Sequence, residues 1–196
     1  HVRPGAHDTA LHMERLERVV VAGPALPVAE GILELWRGWP GRLDLPLRHA
    51  HRDLKLSNLR FDDAGRGLCL VDLDTLSRQP IDVELGDAWR SWCNPVGEDG
   101  TDTRLDVELL AAAIAGYRGE RSLVPEEAEA LGVAVERIAL ELAARFCRDV
   151  VEDGYFGWNT ARFESRAAHN LHRASGQLNL ARSARSQRSA IAALLR

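Results

Sequence analysis

Residues 49–76 read HAHRDLKLSNLRFDDAGRGLCLVDLDTL, and the rest of the chain is organised around them. The stretch holds His51, Asp53 two residues on, Asn58 five residues after that, and Asp72 and Asp74 closing an apolar run. Leu47 to Ala50 predicts a short strand, residues 59–61 and 68–71 predict the arms of a hairpin, and DDAGRG at 62–67 is its turn. That hairpin would bring Asp53, Asn58 and Asp72 to one end. A lone HxD or a lone DLD carries little information. Their joint occurrence across a strand-turn-strand spacer is specific.

These residue types suit phosphoryl transfer to a hydroxyl, which needs a positioned acceptor, metal ligands and positive charge on the phosphate oxygens. Asp53, in an exposed loop, is the candidate catalytic base. Asn58 and Asp72 offer a neutral amide oxygen and a carboxylate, a hard donor pair suited to Mg2+. Lys55, two residues past the base, is placed to reach the transferring phosphate of a nucleotide and is assigned with Asp53 to the catalytic set. His51 is expected to pin the loop. Asp74 either touches metal or caps the following turn. Of the 25 basic side chains, 24 are arginine and Lys55 is the single lysine. An ammonium used once, beside the candidate base, fits a point charge against phosphate; chance survival is the alternative.

Bulk properties narrow the class. With 196 residues, 45% apolar and 28% charged, the chain can bury a core and does not have the composition of a disordered protein. A net charge of -4 gives no general pull toward nucleic acid. Cys69, Cys93 and Cys147 form no CxxC and are expected as free thiols. No apolar run reaches the roughly 20 residues of a membrane span, so a cytoplasmic location without membrane partners is expected.

The flanks read as helices. Residues 7–22 present an apolar stripe opened by Asp8 or Thr9, with a Gly-Pro break after them, and 28–38 places Ile32, Leu35, Trp36 and Trp39 near one face. Residues 81–93 and 105–117 follow, the latter with Asp102 or Thr103 as cap. A helix from Pro125 is expected to run through Ile138 toward Phe146. The segment 162–196, with seven arginines against Glu164, is expected to be helical and to present a solvated or packed basic face.

HRDLKLSN resembles the catalytic loop of the protein-kinase-like superfamily. Protein kinases continue with Asp-Phe-Gly and Ala-Pro-Glu, whereas this chain has Val71-Asp72-Leu73-Asp74 and no APE. The DLD form is similar to the aminoglycoside phosphotransferase and choline kinase branch, and within it to the bacterial N-acetylhexosamine 1-kinases and their relatives. That likeness extends from His7-Asp8-Thr9 through IDVELGDAWR at 81–90 to ARFCRDVVEDGYF at 144–156 and AHNLHRASGQ at 168–177. Arg52 stands where the family usually has Asn, and Val83-Glu84-Leu85-Gly86-Asp87 where it has Tyr-Asp-Phe-Gly-Asp.

The resemblance implies an α+β, mainly helical fold, the C-terminal lobe of a kinase with a short catalytic-loop hairpin, spanning residues 1–196 as one unit. It implies Mg2+ and ATP, with a small-molecule hydroxyl, a sugar, as acceptor. Asp53 is then the base, Asn58 and Asp72 the Mg2+ ligands, and Arg145 and Tyr155 contacts to the acceptor. For Arg145 the alternative is a helix ion pair with Glu141 or Asp149; for Tyr155 it is core packing. Residues 1–46 do not read as the five-stranded ATP-clamping lobe, and Lys55 leaves no lysine for its clamp, so the chain is expected to be a fragment. A catalytically silent binding module is the competing expectation, and a protein-kinase lobe a weaker one.

Overall fold

The computed structural model describes residues 7–19, 21–41, 43–100 and 102–196. Val20, inside the first expected helix, lies outside them. The elements in chain order are α1 (Thr9–Arg18), α2 (Leu26–Arg37), β1 (Leu47–Ala50), β2 (Leu59–Phe61), β3 (Gly67–Leu70), β4 (Ser77–Pro80), α3 (Ile81–Trp92), α4 (Val107–Glu120), α5 (Pro125–Leu131), α6 (Ala134–Glu152), α7 (Arg166–Ser186) and α8 (Arg188–Leu194). The fold is thus α+β and mainly helical.

α6 is the centre of the helical body, packed by α7, α3, α1 and α2. Its residues Val135, Ile138, Ala139, Leu140, Ala143, Ala144, Phe146 and Cys147 are all buried, as expected for a helix enclosed on several sides. Gly86 in α3 lets the two helices approach closely: an added Cβ would sit 3.0 Å from the Ala134 carbonyl oxygen and 3.0 Å from Ile138 Cγ1. Three charged residues of this central helix, Glu136, Arg137 and Glu141, are buried with charged or titratable partners. Arg137 donates to Asp82 Oδ2 at 2.5 Å, to Thr9 Oγ1 at 3.0 Å and to the His7 carbonyl at 3.0 Å. Glu141 accepts from Thr9 Oγ1 at 2.7 Å and contacts His7 Nδ1 at 3.1 Å. Burial opposes the Glu141 charge, yet the hydrogen bonds and charge of His7 with the Thr9 hydroxyl hold its pKa below the ordinary value. Glu136 is shared by Arg185 and Arg188.

Removing one partner of such a pair strands a buried charge. Arg137→Met is expected to cost about 3–5 kcal/mol, read by urea denaturation. Arg137→Met combined with Asp82→Leu should recover most of that loss. A single variant as stable as wild type would show that the pair does not tie α3 to α6.

Two small antiparallel sheets hold the central stretch. β2 pairs with β3 (Leu59 opposite Leu70), and β1 pairs with β4 (His49 opposite Arg78). β4 was not read from the sequence, because Ser77-Arg78-Gln79-Pro80 lacks both alternation and β-branched residues; pairing with β1 stabilises it. Leu56, Phe61, Leu68, Leu70, Leu73 and Leu76 leave an exposed apolar surface on and around the hairpin.

Several helix expectations need correction. The helix expected from Pro125 to Phe146 is two helices, broken at Gly132 and Val133, where glycine's poor helix propensity meets the end of α5. The cap of α4 is Asp106, whose side chain accepts from the N–H groups of Glu108 and Leu109. Thr103 instead donates its hydroxyl to the Gly176 carbonyl, tying its loop to α7, and Asp102 lies beside Arg104. The basic tail is two helices, α7 and α8. Of the two faces expected for it, the packed one is found at Arg173, Arg185 and Arg188, which pair with acids of other elements. The three cysteines are free, and burial pushes the Cys93 thiol up to about 12 and the Cys147 thiol up to about 11. Among the described residues, no helix is long and apolar enough to cross a membrane.

Candidate active site

The loop between β1 and β2 is held from three sides. His51 and Arg52 donate their backbone N–H groups to the two carboxylate oxygens of Glu84 in α3, each at 2.8 Å. The His51 ring reaches the Val71 carbonyl at 2.9 Å, and the Thr75 hydroxyl donates to the His51 carbonyl at 2.6 Å. From the C-terminal end of α3, Trp92 Nε1 donates to the Leu54 carbonyl at 2.8 Å, and Ser91 Oγ accepts from the Leu56 N–H at 3.1 Å. The loop-pinning task expected of His51 is therefore met. Glu84, Ser91 and Trp92 share that task and were missed. The signal for Glu84 was its place at the acidic position of the VELGD segment.

Within this frame Asp53, Lys55 and Asn58 meet. Lys55 Nζ donates to Asp53 Oδ2 at 2.7 Å. Asn58 Nδ2 donates to the Asp53 carbonyl at 2.8 Å and to Oδ2 at 3.2 Å. The Asn58 amide is thereby oriented with its nitrogen toward Asp53, leaving its oxygen for another partner. The Asn58 carbonyl accepts from the Val71 N–H at 3.0 Å, which fixes Asp72 one residue beyond. Asp72 is exposed and left-handed, with φ 67°, a conformation that Asp tolerates better than most residues. An amide oxygen just before β2 and an exposed carboxylate just after β3 are oxygen donors of the kind Mg2+ takes, leaving further positions to water and phosphate. Asp74 lies exposed within the 3-10 turn Leu73–Thr75, whose N-cap position is Asp72. No group of three His, Cys, Asp or Glu side chains among the described residues forms a metal cluster; the expected donor set differs in including Asn58.

Two cavities flank the loop. One of about 250 Å³ is lined by Lys55, Ser57, Arg90, Ser91, Asn94 and Glu98. The other, of about 630 Å³, is mainly apolar and takes in Leu54, Trp89, Trp92 and Tyr117, with Arg48 and Arg121. Arg90 contacts Asp87 at 2.9 Å and Glu98 at 3.6 Å; burial disfavours its charge, but those acids hold its pKa above the ordinary arginine value. None of Arg90, Ser91, Asn94 or Glu98 was singled out from the sequence, since nothing in their local pattern distinguishes them from a helix end and its loop.

The structure brings Arg145 and Tyr155 together, with Nη2 3.4 Å from the phenol oxygen and the guanidinium 5.6 Å from the ring centroid. The ion pairs weighed for Arg145 do not form. Glu141 is taken by His7 and Thr9, while Asp149 accepts the N–H groups of Gly154, Tyr155 and Phe156 and the Asn170 amide. Tyr155 is half exposed and is not core. The pair lies apart from Asp53 along a chain of contacts: Phe156 on Phe146, Arg173 over Phe146, Arg173 to Glu98 at 3.7 Å, and Glu98 to Arg90.

Residues 3–130 match the model of the phosphotransferase enzyme family (APH), and the matched region contains the entire loop, both sheets and α3. The chain belongs to this family. No curated protein gives a significant match. As a member of the phosphotransferase enzyme family, the chain falls in the protein-kinase-like superfamily, and phosphotransfer of the kinase-like kind is the activity that membership supports.

Proposed function

We propose that this chain is the catalytic and acceptor-binding lobe of an ATP-dependent kinase, which transfers the γ-phosphoryl group to a hydroxyl of a small molecule, a sugar of the N-acetylhexosamine or aminoglycoside kind. The observation that carries this reading is the Asp53 carboxylate held by Lys55 Nζ and Asn58 Nδ2 at the mouth of the hairpin that presents Asp72. In this reading Asp53 orients the acceptor hydroxyl and takes its proton, and Lys55 keeps positive charge beside the entering phosphoryl group. Asn58 and Asp72 would hold Mg2+, which when bound would neutralise charge on the nucleotide phosphates. Asp74 is a further candidate ligand. The hydroxyls of Ser57 and Ser91 with Asn94 and Glu98 suit a polyhydroxy acceptor, and Arg145 with Tyr155 offers a second polar surface for it. The exposed leucines and Phe61 of the hairpin support a covering ATP-clamping lobe outside these residues.

A donor and acceptor screen on the protein together with that lobe tests the proposal. Sugar-dependent consumption of Mg-ATP is expected, with a new phosphate ester in the phosphorus NMR spectrum. Nucleotide binding without transfer to any hydroxyl would favour the silent binding module instead.

A further inference from the structure

Arg52 is not used by the chemistry above, and its surroundings are unusual. The residue is 9% exposed, yet its Nε is buried without a hydrogen-bond partner and no carboxylate lies within 4.0 Å of its guanidinium. The other buried arginines among the described residues are paired, Arg90 with Asp87 and Arg137 with Asp82. Glu84 is close, but both of its oxygens are spent on the backbone N–H groups of His51 and Arg52. Asp53, the next residue, is engaged by Lys55 and Asn58. The Glu84 clamp also holds Arg52 in a left-handed conformation, with φ 68°. An uncompensated buried cation is strongly disfavoured unless something supplies the missing charge. Neither Arg52 Nη nitrogen makes a hydrogen bond among the described residues, and neither is fully enclosed as Nε is.

We propose that Arg52 is the receptor for an oxyanion, a phosphate or a carboxylate, carried by a ligand of this site. A guanidinium presents a planar fork of donors that matches such a group in two-point fashion. The source of the oxyanion rests on the phosphotransferase reading: an acidic group on the acceptor, such as a sugar phosphate, or a phosphate of the donor nucleotide. Binding itself does not depend on turnover.

The test compares the full chain with Arg52→Met, Arg52→Lys and Lys55→Met, by thermal melting and calorimetric titration in a chloride buffer. The probes are inorganic phosphate, glucose 6-phosphate, glucose and Mg-ADP. Without added oxyanion, Arg52→Met is expected to melt at or above wild type, because it removes an uncompensated charge. Phosphate should raise the melting temperature of wild type and of Lys55→Met, should raise it less in Arg52→Lys, and should leave Arg52→Met unmoved. Phosphate affinity should fall by about tenfold or more in Arg52→Met, the scale of one charge-assisted hydrogen bond. Weaker glucose 6-phosphate binding with unchanged Mg-ADP assigns the oxyanion to the acceptor; weaker Mg-ADP binding assigns it to the donor. A variant Arg52→Met that binds phosphate like wild type, or that fails to fold without oxyanion, overturns the proposal, as does loss of the phosphate response in Lys55→Met alone. Phosphate binding that survives while the transfer screen is negative would defeat the kinase reading and leave this one standing.

Discussion

Replacing Asp53 by asparagine in the proposed kinase, assayed together with the proposed ATP-clamping lobe, is expected to lower kcat by about 10^2- to 10^4-fold, the usual span for loss of a general base. The substitution keeps the size of the side chain and an oxygen that Lys55 and Asn58 can still contact, so the loop should remain in place. What it removes is the charge and basicity needed to take the hydroxyl proton. The KM for nucleotide should move little, because Asp53 is not among the proposed metal ligands. Steady-state kinetics with saturating acceptor reads both constants. Near-normal kcat would remove Asp53 from the role of base, and a large rise in nucleotide KM would move it to the metal site.

Replacing Asp72 by alanine is expected to abolish Mg2+-dependent transfer altogether. Its carboxylate is the negatively charged member of the proposed donor pair, and Asn58 alone offers a neutral oxygen. Alanine is also strained in the left-handed conformation at this position, at roughly 1–2 kcal/mol. Asp72→Asn therefore serves as the control: it tolerates that backbone and keeps an oxygen donor while losing the charge. It should retain the fold and show a higher Mg2+ requirement, read from initial rates across a magnesium titration with circular dichroism as the check on folding. Unchanged magnesium dependence in either variant would count against the site.

Much of the candidate site was legible because its members are close in the chain. Asp53, Lys55 and Asn58 lie within one loop, and the two arms that carry Asn58 toward Asp72 are joined by a short Asp- and Gly-rich turn. Spacing and turn chemistry are local properties, and the sequence states them directly. Helix positions were also readable from apolar periodicity, as were the Asp8 cap of α1 and the Pro125 start of α5, but the cap of α4 and the break after α5 were not. Asp106 rather than Asp102 or Thr103 starts α4 because Thr103 is drawn to Gly176, a contact 73 residues away in the chain. Whether the basic tail is solvated or packed stayed open in the sequence for the same reason: nothing near Arg185 and Arg188 in the chain announces Glu136.

By itself, the sequence determined the mainly helical α+β class, the hairpin and the residue types of a phosphotransfer loop, since short-range pattern and turn propensity are written in neighbouring residues. Only the tertiary structure decided that Glu84 clamps the loop and that Arg52 is buried without a counter-charge. It also decided that Arg145 meets Tyr155 rather than an acid of its own helix. The physical reason is common to all three. A side chain's partner is set by which distant groups burial forces together and which of them are already satisfied, and that accounting exists only once the chain is packed.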